Sequence, residues 1–97
     1  METHVHLPDS EPPATIREVV AALKKQKLPA KHDKQSWGDW INLEGKDTVI
    51  SIESMNGLTT RATIEEASGE DEVLIKCINA FRALGWYGED EDGPYPL

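Results

Sequence analysis

Residues 37–66 read WGDWINLEGKDTVISIESMNGLTTRATIEE, and the way this stretch pairs with itself decides the fold. Ile41, Leu43, Ile50 and Ile52 alternate with polar neighbours, the period of a strand with one buried face. Gly45-Lys46 fits a two-residue type II′ turn with glycine first, which sets Ile41 opposite Ile50 and Leu43 opposite Thr48. The next connection offers two readings. A two-residue turn at Asn56-Gly57 is the obvious one, but it sets Ile52 against Arg61 and puts the inner faces of the two strands out of phase. A three-residue loop, Met55-Asn56-Gly57 with a left-handed Gly57, aligns Ile52 with Thr60 and Ile50 with Ala62. Leu58, Ala62 and Ile64 then point inward. The hydrophobic pattern favours the three-residue loop.

An amphipathic helix flanks this region on each side. In TIREVVAALKKQK, Thr15 and Glu18 have capping-box spacing, and Ile16, Val19, Val20 and Leu23 fall on one side. Lys24, Lys25 and Lys27 suit the negative end of that helix, and Pro29 stops it. In the second helix Ser68 is the expected cap, and Glu70 to Glu72 complement the positive end. Val73, Leu74, Cys77, Ile78, Phe81 and Leu84 make its apolar side. Gly85 reads as a left-handed stop and Trp86 as the residue that folds back on the last turn. The expected fold is α+β in the order α-β-β-β-α: a three-stranded antiparallel meander with two helices on one face. Residues 1–13 read as a flexible or extended lead-in, 14–87 as a single domain, and 88–97 as an acidic tail, with the tail expected to stay free.

With 38% hydrophobic residues in 97, the chain holds material for one core. No apolar run approaches the roughly 20 residues of a membrane helix, and METHVHLPDSEPP lacks the basic start and apolar stretch of a secretory signal. A cytoplasmic protein is the expectation. The single cysteine, Cys77, falls on an apolar helix face and reads as a buried, reduced thiol. Eighteen acids against ten bases give a net charge of −8, which disfavours nucleic acid as a partner. The α-β-β-β-α order is similar to that of double-stranded-RNA-binding domains. Their Lys-rich start to the second helix is replaced here by SGEDE, so RNA binding is not carried over. The charge is also uneven: residues 24–34 hold five Lys and one Asp, whereas 65–72 hold five acids and no base.

Metal and catalytic signatures are thin. His4-Val5-His6 would put two imidazoles on one side of a strand without a third ligand nearby. GEDEDG, aligned as a calcium loop through Asp90, Asp92 and Gly93, begins at Gly88 and lacks the closing Glu. His32-Asp33 lies in a Lys-rich connection, and neither a nucleophile elbow nor a phosphate loop occurs. No cofactor and no metal are expected, and the chain reads as a non-enzyme.

The sheet face turned away from the helices is the candidate site. Its partner-binding residues are Trp40, Asn42, Ser51, Glu53, Thr59, Arg61 and Thr63, with Trp40, Ser51 and Arg61 as the middle row. Trp and Arg recur as anchors of protein contacts; the plainer alternative is a solvated face with one Trp under a loop. Glu89, Asp90, Glu91 and Asp92 add an acidic accessory. The expected function is non-enzymatic protein–protein interaction, immunity- or inhibitor-like toward a basic partner, or chaperone-like. The other reading is an assembly protein that homodimerises through the sheet face.

Overall fold

The computed structural model describes residues 1–97. The chain runs β1 (Glu2–His6), β2 (Ala14–Thr15), α1 (Ile16–Lys25), β3 (Ala30–Lys34), β4 (Asp39–Leu43), β5 (Val49–Met55), β6 (Leu58–Glu65), α2 (Asp71–Ala83), β7 (Tyr87–Asp90) and β8 (Gly93–Pro96). All pairs are antiparallel, in the order β3-β4-β5-β6-β1-β7-β8, and β2 pairs with the start of β6. The three-stranded meander is therefore wrong: it is the β4-β5-β6 portion of an eight-stranded sheet. The additional strands come from segments too short or too polar to show a hydrophobic period. Of these, β1 contributes one buried residue, Val5, and β3 only Ala30. Residues 2–6, expected as lead-in, lie between β6 and β7, and residues 87–96 form a hairpin whose first strand and turn share the acids.

The β5–β6 connection settles the register. Asn56 and Gly57 have φ of 57° and 79°, the two left-handed central residues of a type I′ turn, and Met55 pairs with Leu58. The rejected dipeptide turn is thus the one that forms. The phase conflict is resolved one step later by a bulge: Ser54 pairs with Thr59 and Glu53 with Arg61, leaving Thr60 as the extra residue. Beyond the bulge Ile52 faces Ala62 and Ile50 faces Ile64, one position-pair away from the expected alignment. Ala62 and Ile64 point inward as expected, Arg61 points outward, and Leu58 is exposed rather than inward. The β4–β5 register is Ile41 opposite Ile50 as expected, but the expected turn does not form: the Lys46 N–H bonds the Leu43 carbonyl at 2.9 Å, so Gly45, left-handed at φ 79°, is the second central residue of the turn rather than the first.

One cluster of buried side chains joins the sheet to both helices. Val5, Ile41, Leu43, Ile50, Ile52, Ala62 and Ile64 supply the sheet side. Ile16, Val19, Ala22 and Leu23 of α1 and Val73, Cys77, Ala80 and Phe81 of α2 supply the other. Both helices therefore lie on one face. Thr15 caps α1 by accepting the Glu18 N–H at 3.0 Å. Ser68 does not cap α2; Glu70 occupies that position and sends its carboxylate to the β4–β5 loop. Gly85, at φ 83°, ends the helix, and the Trp86 N–H returns to the Phe81 carbonyl at 3.0 Å. The Trp86 ring, 2% exposed, packs on Phe81 with centroids 4.9 Å apart. Neither helix is long and apolar enough to cross a membrane.

Candidate functional site

The sheet face away from the helices has no covering element, and the strand registers arrange it in rows. One row reads Asp33, Trp40, Ser51, Thr63, His4, Glu89. The row beside it reads Glu53, Arg61, His6, Tyr87, and on the other side lie Lys31, Asn42, Val49, Glu65, Glu2. Strand pleating puts these alternate residues on the same side. The anchors are accessible: Trp40 is 39% exposed and meets Trp37 edge-on, with centroids 5.8 Å apart.

Of the seven expected partner-binding residues, six lie on this face: Trp40, Asn42, Ser51, Glu53, Arg61 and Thr63. Thr59 is not among them. The bulge turns it inward to 3% exposure, where its hydroxyl donates to the Glu53 carbonyl at 2.6 Å and accepts the Arg61 N–H at 3.2 Å. It holds the bulge shut. The middle row is also revised, because the bulge places Thr63 rather than Arg61 opposite Ser51.

Residues that the sequence reading left out complete the face. His4, His6 and Tyr87 come from β1 and β7, and the spacing of His-Val-His was the available signal, since it puts both imidazoles on one side of a strand. The His4 Nδ1 lies 3.0 Å from the Thr63 hydroxyl. Arg61 reaches across β1 to Glu89, Nη1 to Oε2 3.2 Å. Ser51 donates to Glu65. Around Arg61 the surface dips into a hollow of about 410 Å³ lined by His4, Glu53, Thr63, Glu89, Asp90 and Glu91. Carboxylates outnumber cations there. The acids expected as a free tail thus sit at the rim of the sheet face: Glu89 and Asp90 in β7, Glu91 and Asp92 in the hairpin turn, with the Asp92 N–H bonded to Asp90 Oδ1 at 2.9 Å.

A second polar cluster lies on the helix side, near the β3–β4 edge. Asp39 is buried and accepts from Ser54 Oγ on one carboxylate oxygen, while His32 Nε2 engages the other. Burial by itself would raise the Asp39 pKa. The hydrogen bonds from Ser54 and His32, with the charges of His32 and Lys34, outweigh it and hold the carboxyl below its ordinary range. The composition resembles a hydrolytic triad, but the order differs. The carboxylate is in the middle, so the Ser54 proton goes to Asp39 and no imidazole is hydrogen-bonded to the hydroxyl. The arrangement ties β3, β4 and β5 together. Cys77 offers no nucleophile either, since burial pushes its thiol up to about 12.

Comparison with known proteins finds no match: no family model fits the chain, and searches of curated proteins and of solved structures return none.

Proposed function

We propose that this chain is a non-enzymatic protein-interaction domain that receives a basic segment of a partner protein on the outer face of its sheet, in the manner of an inhibitor or immunity protein. One observation carries the reading: the outer face lies open across the strands, and its exposed Trp40 and Arg61 stand among Asp33, Glu53, Glu65 and Glu89, with Asp90 to Asp92 at the rim. Flat aromatic and guanidinium surfaces supply contact area, and the carboxylates supply attraction and orientation toward Lys and Arg. The acid-lined hollow beside Arg61 suits a long cationic side chain, whose stem can lie along the sheet while its head meets Glu53 and Glu89. The same excess of acids turns nucleic acid away. A buried, reduced Cys77 suits a cytoplasmic setting.

The test is titration of the protein with an extended Lys/Arg-rich peptide, followed by anisotropy at low and high salt. Binding should weaken with salt, and weaken again in Trp40→Ala and Glu53→Lys. Both variants should melt within a few degrees of the parent, because exposed substitutions change stability by about 0.5 kcal/mol or less. Equal binding by a Lys/Arg-rich and a Glu-rich peptide, or affinity untouched by both substitutions, rules the face out.

A further inference from the structure

We infer that β3 is a self-complementary sheet edge, and that two copies of this chain join antiparallel through it, centred on His32, into one continuous sheet. The surface is the backbone edge of the sheet, which shares only Lys31 and Asp33 with the face discussed above, and the inference does not depend on that function.

Apart from the two-residue β2, which pairs only with β6, the sheet ends at two edges, β3 and β8. Two of the four residues of β8 are prolines, Pro94 and Pro96, which have no N–H to offer a further strand. No proline interrupts β3, Ala30-Lys31-His32-Asp33-Lys34. Which of its backbone groups are free follows from the flanking bonds. The Glu44 N–H reaches the Pro29 carbonyl at 3.0 Å and the Gln35 N–H reaches the Gly38 carbonyl at 2.8 Å. Odd-numbered residues of this segment therefore direct their polar groups toward β4, and the even-numbered ones direct theirs outward. The Ala30 N–H is used by the Leu28 carbonyl at 2.8 Å. That leaves the N–H and C=O of His32 and Lys34, and the C=O of Ala30, as unpaired edge groups.

If both copies keep their helices on the same side, antiparallel pairing can join only even to even residues, so the two-fold axis passes through Lys31, His32 or Asp33. A centre at Lys31 sets that lysine against itself, and one at Asp33 sets that carboxylate against itself. Only the His32 centre sets Lys31 of each copy opposite Asp33 of the other. In that register His32 exchanges both backbone bonds with its symmetry mate, and each Lys34 N–H reaches the Ala30 carbonyl of the second copy. The Lys31–Asp33 pairs then fall at non-hydrogen-bonded positions, where opposite side chains approach most closely and unlike charges attract. Each His32 keeps its own Asp39 partner on the helix side, so the two imidazoles at the axis arrive with their carboxylates.

Charged edge residues ordinarily keep strands apart. Here the outward-facing pair has alternate signs, so the charge that repels other registers selects this one. The contact is isologous and closes at two copies, since β8 cannot propagate it.

The experiment is sedimentation equilibrium of the full chain and three variants, each checked for folding by circular dichroism and melting. The parent should show a concentration-dependent dimer. Asp33→Lys should raise the dimer Kd roughly tenfold or more, because symmetry turns two unlike pairs into two like ones. The swap Lys31→Asp/Asp33→Lys should restore it to within about threefold of the parent. Arg61→Ala, on the open face, should leave it unchanged. Should Asp33→Lys fail to fold, Lys31→Asp makes the same comparison with two carboxylates. A chain that stays monomeric up to about 1 mM, a dimer indifferent to the single reversal, or one lost with Arg61→Ala overturns the inference.

Discussion

Glu70, at the start of α2, closes the β4–β5 loop by holding Thr48: its Oε1 accepts the Thr48 hydroxyl at 2.6 Å and the Thr48 N–H at 2.9 Å, and its Oε2 accepts the Asp47 N–H at 3.2 Å. The fully buried Thr48 hydroxyl also accepts the Ala67 N–H at 3.1 Å, so one threonine and one carboxylate join loop, helix start and the end of β6. The Thr48 hydroxyl bond, followed by the two N–H groups and the nearby Lys46, lowers the Glu70 pKa against the opposing effect of burial. A depressed folded-state pKa stabilises above the unfolded glutamate value, about 4.3, and that contribution is lost as pH falls through the lowered value. Glu70→Gln should therefore melt earlier than the parent at neutral pH, with the gap closing in acid. A gap that is constant across pH 3–7, an interval spanning the roughly 4.3 reference value, would show that the charge is not what matters.

Two glycines, Gly88 in β7 and Gly38 just before β4, should respond differently to alanine. A Cβ at Gly88 would stand 2.2 Å from the ring of Tyr95, its cross-strand neighbour, while one at Gly38 would stand 2.4 Å from the Ile52 carbonyl oxygen. A ring can swing outward; a backbone carbonyl held in a sheet cannot. Gly88→Ala should cost about 1 kcal/mol and almost nothing in a Tyr95→Ala background, whereas Gly38→Ala should cost about 3 kcal/mol with no rescue. Denaturant melts of the two single variants and the double variant decide it.

Removing Asp39 strands its donors. Asp39→Ala leaves Ser54 and His32 without their acceptor and should destabilise by about 1 to 3 kcal/mol. The loss should be local, with amides of β3 and β4 exchanging faster than those of β1 and β6. Uniform loss of protection would show that the cluster supports the whole sheet rather than this edge.

Because β1 lies between β6 and β7, trimming either terminus should be costly. Deleting residues 1–6 removes Val5 from the core and the partner of both neighbouring strands. Deleting 88–97 removes most of the β7–β8 hairpin and the Arg82 Nε to Leu97 carbonyl bond of 2.7 Å. Both truncations should lower the melting midpoint markedly, and the amides of Val5 and Gly88 should be protected from exchange. An unchanged midpoint in either truncation contradicts this placement.

What the sequence disclosed followed the strength of its periodicity. Both helices were legible from their three-to-four-residue apolar spacing, and the β4–β5 register and the inward placement of Ile50, Ile52, Ala62 and Ile64 from strand alternation. Thr59 and Leu58 were misplaced because a bulge shifts phase by one residue, and its signature, a Thr hydroxyl bonding nearby backbone, looks like any polar strand residue. The type I′ turn was rejected for a conflict that the bulge removes. Strands β1, β3, β7 and β8 went unseen because their stability comes from pairing with distant residues rather than from burying their own side chains.

The position of β1 also sets an order of assembly. The β4–β5–β6 hairpins connect near neighbours in the chain, but Val5 pairs with Ala62 and Gly88. On a ribosome β1 emerges well before β6 and β7, the strands it pairs with, and holds its only apolar side chain exposed meanwhile. Closing such long loops before any contact rewards them slows folding, so β1 is the zipper's final tooth. A copy with β1 moved by circular permutation to follow β8 should fold faster than the natural order.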